Sequence, residues 1–326
     1  MIMRWLAIAL IGLLIAPLPA TAQRVQRDPV LLASSFSFVP EAQRAQVEYQ
    51  TVKGRVVFRA KLGEREVWAL LDNGADRTLI ELETARGMGL KLDAAKGQVY
   101  GAGGGSLTSQ WVEGVPVSIP GQFTARMPML GLDMRAASKI LGHRIELVIG
   151  ADMLMYMALK IDPFTRQFHL THTGRMDGVA GHRAIAMRGK RALVEMRIEG
   201  KPVSVGIDLG SNGGLALTEE AWTRLGVTGE HIGTGRSTGA TGQSYAVEVY
   251  EVPEVRIGKL TVRDVRISIE PARLGVGEGI VGMAVLGRFV IVMDLGAGKL
   301  WLIEPAAPAA PVASSSILNR PAATTG

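Results

Sequence analysis

The sequence predicts an all-β chain of two lobes related by an internal pseudo-twofold duplication, and three observations carry that expectation. Its 326 residues are enough for two domains of ordinary size, each with a core of its own. Its 40 glycines suit many tight turns between strands, where positive φ angles are needed. Four landmarks then recur in the same order in both halves, at offsets of 132 to 138 residues.

The first landmark is a strand, a Gly-containing hairpin turn and a second strand ending in Asp. It is found at Phe58–Asp72 and again at Val194–Asp208, an offset of 136. The second is a short helix expected over Leu79–Leu90 and Ala216–Val227, closed by Gly89 and Gly226 as C-caps. Thr218, followed by Glu219 and Glu220, supplies an N-terminal signal for the second copy. The third landmark is a Gly-rich turn, Gly101-Ala102-Gly103-Gly104 against Gly239-Ala240-Thr241-Gly242. The fourth is Val148-Ile149-Gly150 against Ile280-Val281-Gly282, continuing to Asp162 and Asp294. Val115–Ile119, Gln167–Leu170, Val247–Val252, Val265–Ile269 and Leu300–Ile303 are short apolar or alternating runs expected as further strands. No alternation of strand and helix of the kind that builds a parallel α/β sheet is present.

These landmarks place a first lobe over 47–175 and a second over 182–304. Residues 1–22 have the form of a signal peptide: Arg4, the apolar run Trp5–Ala16, Pro17, and small residues at Ala20 and Ala22. That run is shorter than the ~20 residues a membrane-spanning helix needs. Export, most simply to a periplasm, and a mature protein free of the membrane are the expectations. Residues 23–46 read as a linker or an edge strand, and 305–326, rich in Pro, Ala, Ser and Thr, as a disordered tail.

Composition narrows the chemistry. With 47% hydrophobic and 20% charged residues the chain is globular rather than disordered. The absence of cysteine excludes disulfides, thiol nucleophiles and thiolate-bound zinc. The net charge of +6 is spread without a basic stripe interleaved with aromatics, so nucleic acid is not an expected partner. His169 and His172 stand three apart with no third ligand evident, and read as strand-end histidines rather than a metal site. Gly101–Gly105 has no Lys-Ser/Thr after it, which a phosphate loop would need. Trp68, Trp111, Trp222 and Trp301 read as core residues, and Asp162 and Asp294 as turn residues.

Asp72 and Asp208 are different. Each ends an apolar strand and is followed by Gly two residues on, in Leu70-Leu71-Asp72-Asn73-Gly74-Ala75 and Gly206-Ile207-Asp208-Leu209-Gly210-Ser211. An Asp opening a turn with Gly is a common local device, but a carboxylate leaving an apolar strand twice, at equivalent places, asks for a chemical reason.

Apolar-apolar-Asp-x-Gly-Ala/Ser, a short helix, a Gly-rich hairpin and an apolar-apolar-Gly turn together resemble the retropepsin-like aspartic proteases. Asp72-Asn73-Gly74-Ala75-Asp76-Arg77-Thr78 is close to the retroviral-type active-site loop. The resemblance spans roughly Thr51 to Glu304, as two retropepsin-type units in one chain. It implies a two-lobed acid-protease β-barrel with Asp72 and Asp208 meeting at the pseudo-twofold axis as a catalytic pair. Asn73, Gly74, Ala75, Leu209, Gly210 and Ser211 would form the active-site loops, buttressed by the Gly150 and Gly282 turns. Tyr100, Gly101, Ala102 and Gly103, with Gly239, Ala240 and Gly242, would lie on two flaps closing over an extended peptide.

Such a pair works because two neighbouring acids cannot both ionise cheaply and so share one proton. The ionised member takes a proton from water while the protonated one donates to the scissile carbonyl oxygen. No metal or organic cofactor is called for. Ser211 offers a hydroxyl to Asp208, whereas Ala75 has none for Asp72, which favours Asp208 as the ionised member. Relatives carry Thr between Asp and Gly, bonding across the axis; here Asn73 is able to bridge and Leu209 is not. The expectation is therefore an aspartic endopeptidase, with a catalytically impaired peptide-binding protein of the same fold as the competing reading. An extended polypeptide is the expected partner, and two repeats in one chain allow a monomer.

Overall fold

Apolar residues alternating between glycine turns set most of this chain as strand. A computed structural model describes residues 34–101, 105–176, 181–189, 191–239, 241–270 and 277–305. Residues 1–22, the first part of the 23–46 segment (23–33) and nearly all of the 305–326 tail lie outside the described residues, as do Ala102, Gly103 and Ala240.

The first half runs β1 (Ser35–Phe38), β2 (Val47–Val52), β3 (Arg55–Leu62), β4 (Arg65–Leu71), β5 (Leu79–Glu81), helix α1 (Leu82–Gly87), β6 (Leu92–Tyr100), β7 (Ser106–Ile119) and β8 (Phe123–Leu132). It continues through α2 (Arg135–Leu141), β9 (Leu147–Ile149), α3 (Ala151–Leu154), β10 (Met157–Asp162) and β11 (Gln167–His172). The second half repeats this order as β12 (Ile185–Ala186), β13 (Leu193–Ile198), β14 (Lys201–Ile207), β15 (Leu215–Thr218), α4 (Glu219–Leu225) and β16 (Glu230–Thr238). It ends with β17 (Ser244–Ile257), β18 (Leu260–Glu270), β19 (Gly279–Val281), α5 (Met283–Leu286), β20 (Val290–Asp294) and β21 (Lys299–Ile303).

Each half closes a six-stranded barrel. In the first the order is β3-β4-β9-β5-β8-β7, and β7 returns to pair with β3. In the second it is β13-β14-β19-β15-β18-β17, and β17 returns to β13. Alternate residues fill the barrels: Phe58, Ala60 and Leu62 in one, Val194, Met196 and Ile198 in the other, all buried. In both barrels the strand before the Asp pairs in parallel with the strand before the buttressing Gly. That pairing delivers Leu71 beside Ile149 and Ile207 beside Val281.

A six-stranded stack, continuous with the first barrel through the β2–β3 pairing, joins the lobes in the order β12-β21-β20-β10-β11-β2, which reads the same from either end once repeats are equated. At its centre β10 and β20 run antiparallel, with Lys160 opposite Val292. Those two are equivalent positions at the offset of 132, so the pseudo-twofold axis passes between them. Ile161 opposite Ile291 and Leu159 opposite Met293 follow the same symmetry, and all four are buried. Asp294 opens its turn by accepting from Ala297 N–H at 2.9 Å, and also ties down the other lobe through Thr173 Oγ1 at 2.5 Å and Gly174 N–H at 2.8 Å.

Some local expectations need correction. Leu79 begins a strand and Ala216 lies within one (Leu215–Thr218), rather than in helices; the helices start only at Leu82 and Glu219. Both stretches are first used as short barrel strands between two neighbours, and pairing overrides helical periodicity there. Gly226 is the left-handed C-cap of α4, whereas Met88 caps α1 and Gly89, with φ +68°, follows it. Thr218 caps α4 by accepting from Ala221 N–H. Of the four tryptophans among the described residues only Trp301 is buried in full; Trp68 is half-buried under the Arg59 guanidinium, 3.7 Å from the ring centre. Trp222 packs half-buried against Tyr250, and Trp111 is likewise half-buried.

The symmetric centre of the joining sheet yields a prediction. Ile161→Ala and Ile291→Ala should each cost about 2–5 kcal/mol in urea unfolding. Because the two side chains are cross-strand partners, the double variant should lose measurably less than the sum.

Candidate active site

Asp72 and Asp208 occupy the same place in their repeats, one residue beyond a buried parallel strand. Asp72 N–H donates to Ile149 C=O at 3.0 Å, and Asp208 N–H to Val281 C=O at 3.0 Å. Each carboxylate is then held by its own loop. Asp72 Oδ1 accepts from Gly74 N–H at 2.9 Å and Ala75 N–H at 3.2 Å. Asp208 Oδ1 accepts from Gly210 N–H at 2.9 Å and Ser211 N–H at 3.0 Å. Ala75 therefore does serve Asp72, through its backbone. The Ser211 hydroxyl instead accepts from Gly213 N–H at 3.3 Å.

The two loops interlock across the axis. A Cβ placed on Gly74 would stand 2.7 Å from Asp208 Oδ1, and one on Gly210 would stand 2.2 Å from the Asp72 carboxyl carbon. Glycine is needed at both places because each lies flat against the opposite carboxylate. Asn73, fully buried, ties the loops together on its own. Its Nδ2 donates to Ile207 C=O at 2.6 Å, and its Oδ1 accepts from Leu209 N–H at 2.8 Å. Leu209 returns no side-chain hydrogen bond and is fully buried in the apolar core that runs through both lobes.

Two arginines complete the crossing. Arg55 Nε donates to Gly210 C=O at 2.5 Å and its Nη2 to Asn212 Oδ1 at 3.2 Å. Arg191 Nη1 donates to Gly74 C=O at 2.7 Å and its Nη2 to Asp76 Oδ2 at 2.7 Å. Arg55 with Arg191, and Asp76 with Asn212, are both pairs at the offset of 136. Extending the landmark comparison a few residues either side of the Asp motifs would have found them.

Burial and the partner carboxylate set the electrostatics. Burial first, then the charge on Asp208, pushes the Asp72 carboxyl up to about 7. Asp208 is also raised by burial, against hydrogen bonds from Gly210 and Ser211 and the positive charges of Arg55 and Arg191. Arg55 lowers both carboxyls, so Arg191, rather than Arg55 or the Ser211 hydroxyl, is the side chain that favours an ionised Asp208 over Asp72.

The buttresses differ between lobes. Thr78 Oγ1 donates to Asp152 Oδ1 at 2.7 Å and accepts from Gly150 N–H at 3.1 Å. In the second lobe Gly214 and Ala284 stand in those places, and backbone bonds serve instead, Gly282 N–H to Gly214 C=O at 2.8 Å and Ala284 N–H to Gly213 C=O at 3.0 Å. Both buttress glycines are forced by contact, since a Cβ on Gly150 would meet Arg77 backbone at 2.4 Å and one on Gly282 would meet Gly213 C=O at 2.6 Å.

A model of the aspartyl protease family matches residues 58–153 and 194–285. The chain belongs to the aspartyl protease family. Each matched stretch starts in the first barrel strand of its lobe and ends in the short helix after the buttress Gly, so the family unit is present twice. No curated protein sequence matches the chain.

The two Gly-rich hairpins, β6–β7 and β16–β17, are the places at which an aspartyl protease carries its flaps. Their tips touch: a Cβ on Gly101 would meet Thr241 Cγ2 at 2.8 Å, and one on Gly105 would meet Thr241 Oγ1 at 2.9 Å. Gly239 N–H bonds Gln243 C=O at 2.9 Å to close the second tip, and Gly242 lies near Ala136 and Ile140 of the first lobe. Tyr100 is 78% exposed on the outside of its hairpin, while its neighbour Val99 faces inward.

Asn73 is the test of the crossing. Asn73→Leu strands Ile207 C=O and Leu209 N–H, and should cost about 1–3 kcal/mol per orphaned group in urea unfolding. Asn73→Thr, which keeps a donor and an acceptor, should recover part of that loss.

Proposed function

We propose that this chain is an aspartic endopeptidase that hydrolyses peptide bonds with water activated between Asp72 and Asp208. The observation that carries the reading is the crossing of the two Asp-x-Gly loops, each glycine lying against the opposite carboxylate. A pair so arranged shares a proton. Asp208, beside Arg191, is the ionised member, and Asp72 holds the proton. Asp208 takes a proton from water as the water oxygen attacks the scissile carbonyl carbon. Asp72 donates its proton to the carbonyl oxygen, giving a neutral tetrahedral diol. Collapse breaks the C–N bond as Asp208 passes the water's proton to the leaving nitrogen and a diol hydroxyl returns its proton to Asp72, restoring the pair. Residues of this one chain supply both carboxylates, so a monomer holds the complete site. The substrate is an extended polypeptide lying as a strand between the flaps and the dyad.

The competing reading, a peptide-binding protein that has lost hydrolysis, rests on Leu209, which leaves the cross-loop bridge one-sided. Against it, Asn73 makes the donor and the acceptor bond across the axis by itself. Export rests on the signal-like residues 1–22, and N-terminal sequencing of the purified protein, with Gln23 first, is the expected result.

Cleavage of a peptide library from about pH 3 to about pH 8 separates the readings. Asp72→Asn and Asp208→Asn should each lose about a hundredfold or more in kcat/KM. Wild-type activity should decline as pH rises through about 7, where Asp72 loses its proton. A folded wild type that binds peptides and cleaves none at any pH would establish the binding protein.

Stability gives an independent check. The Asp72 carboxyl ordinarily titrates at 3.8 and is raised to about 7 in the fold. Between those values the folded chain holds a proton that the unfolded chain has released, so stability falls as pH rises through that window. Asp72→Asn should flatten this slope and unfold at a higher temperature than wild type above about pH 7.

A further inference from the structure

The pseudo-twofold axis creates two equivalent positions beside the dyad, and the chain fills them with different chemistry. In the first lobe an apolar cluster separate from the barrel core contains Leu132 and Val148. Ala75 of the Asp72 loop and Val99 and Leu107 of the flap pack against it. This cluster is therefore the wall between flap and active-site loop. Its counterparts at the offset of 138 are Ser237 for Val99, Tyr245 for Leu107 and Glu270 for Leu132. The strand registers agree, since Val99 pairs with Leu107 and Ser237 with Tyr245. Leu132 pairs with Glu81, and Glu270 with Thr218.

Three apolar residues have thus become a hydrogen-bonded polar group. Tyr245 donates to Glu270 and accepts from Ser237, while Ser268 Oγ donates to Glu270 Oε1 at 3.0 Å. Glu270 is only 4% exposed, yet its Oε2 is buried and accepts no hydrogen bond among the described residues. Ser268 and Glu270 share the face of β18 opposite Val265 and Ile267, which fill the barrel. A buried carboxylate oxygen left without a partner is a standing cost that a fold retains for a reason. The two hydroxyl donors are neutral, so charge and one acceptor position are both unmatched. A cationic donor answers both, whereas a neutral amide answers one and a carboxylate repels.

We propose that the second-lobe pocket of Ser237, Tyr245 and Glu270 selects a basic side chain, Lys or Arg, on one side of the scissile bond. The matching first-lobe pocket, lined by Val99, Leu107 and Leu132, takes an apolar side chain on the other. This rests on the peptidase reading and names its substrate class. Glu270 acts as a specificity residue and takes no part in proton transfer.

The experiment is calorimetric binding of cleavage-resistant reduced-amide peptides to the purified chain, with Lys scanned through the positions on both sides of the isostere. At each position Lys is compared with Gln, norleucine and Glu. Wild type should favour Lys over norleucine by about tenfold or more at one position on one side only, with Gln between them. Glu270→Leu, which installs the first-lobe residue, should reverse that order. Glu270→Gln, nearly isosteric, should abolish the Lys preference while leaving norleucine affinity within about twofold, and it decides the matter if Glu270→Leu fails to fold. Wild type that binds the peptides with no Lys preference at any position overturns this proposal and leaves the peptidase reading standing. Failure to bind any peptide overturns both.

Discussion

Two carboxylates brought together in a dry place repel one another and lose their water, and this fold is organised around offsetting that penalty. Each Asp is the first residue beyond a buried parallel strand pair, so its backbone position is fixed before its side chain is considered. Two N–H groups of its own loop hold one oxygen of each carboxylate. Asn73 then stitches the loops, and Arg55 and Arg191 add positive charge from opposite sides. The remaining mismatch shows as carboxyls raised by burial in both loops, Asp72 further by the charge on Asp208. Removing any one of these supports loads the others, because the same few loop atoms serve both geometry and charge.

Symmetry governs the frame but not the chemistry on it. Strand order, parallel and antiparallel pairings, the Arg clamps and the contact glycines all repeat between lobes. The cross-loop bridge, the Thr78–Asp152 buttress and the Leu132/Glu270 position do not. In the second lobe Leu209 is buried in the apolar core shared by both lobes, so apolar packing replaces the second half of the polar bridge. A subunit used twice must accept each substitution at both places, whereas a duplicated chain is free to change one. The protein has used that freedom close to the axis.

Much of this was legible in the residues. An apolar strand ending in Asp-x-Gly, twice at one offset, located the dyad and both loops, because burial and turn chemistry dictate those residue types locally. Asn73 was readable as a bridge from the two-way hydrogen bonding of an amide. Arg55 and Arg191 were not, since an Arg at the start of a strand resembles an ordinary surface charge until its partner in the other lobe is known. Leu79 and Ala216 misled because a short strand wedged between two neighbours needs no period of its own. The polar group at Glu270 was hidden for a related reason: its members lie on three different strands, and only the fold superimposes them on Val99, Leu107 and Leu132.

The joining sheet carries a further meaning. Its order reads the same from both ends, and Lys160 faces Val292 at the centre, as in the seam of a symmetric dimer. Here that seam lies within one polypeptide, so closing it is an intramolecular event governed by the tether rather than by how many molecules are present. Dilution, which would empty the site of a two-subunit version, leaves this one assembled. A protein built this way keeps both carboxylates together even when a compartment holds very few copies of it.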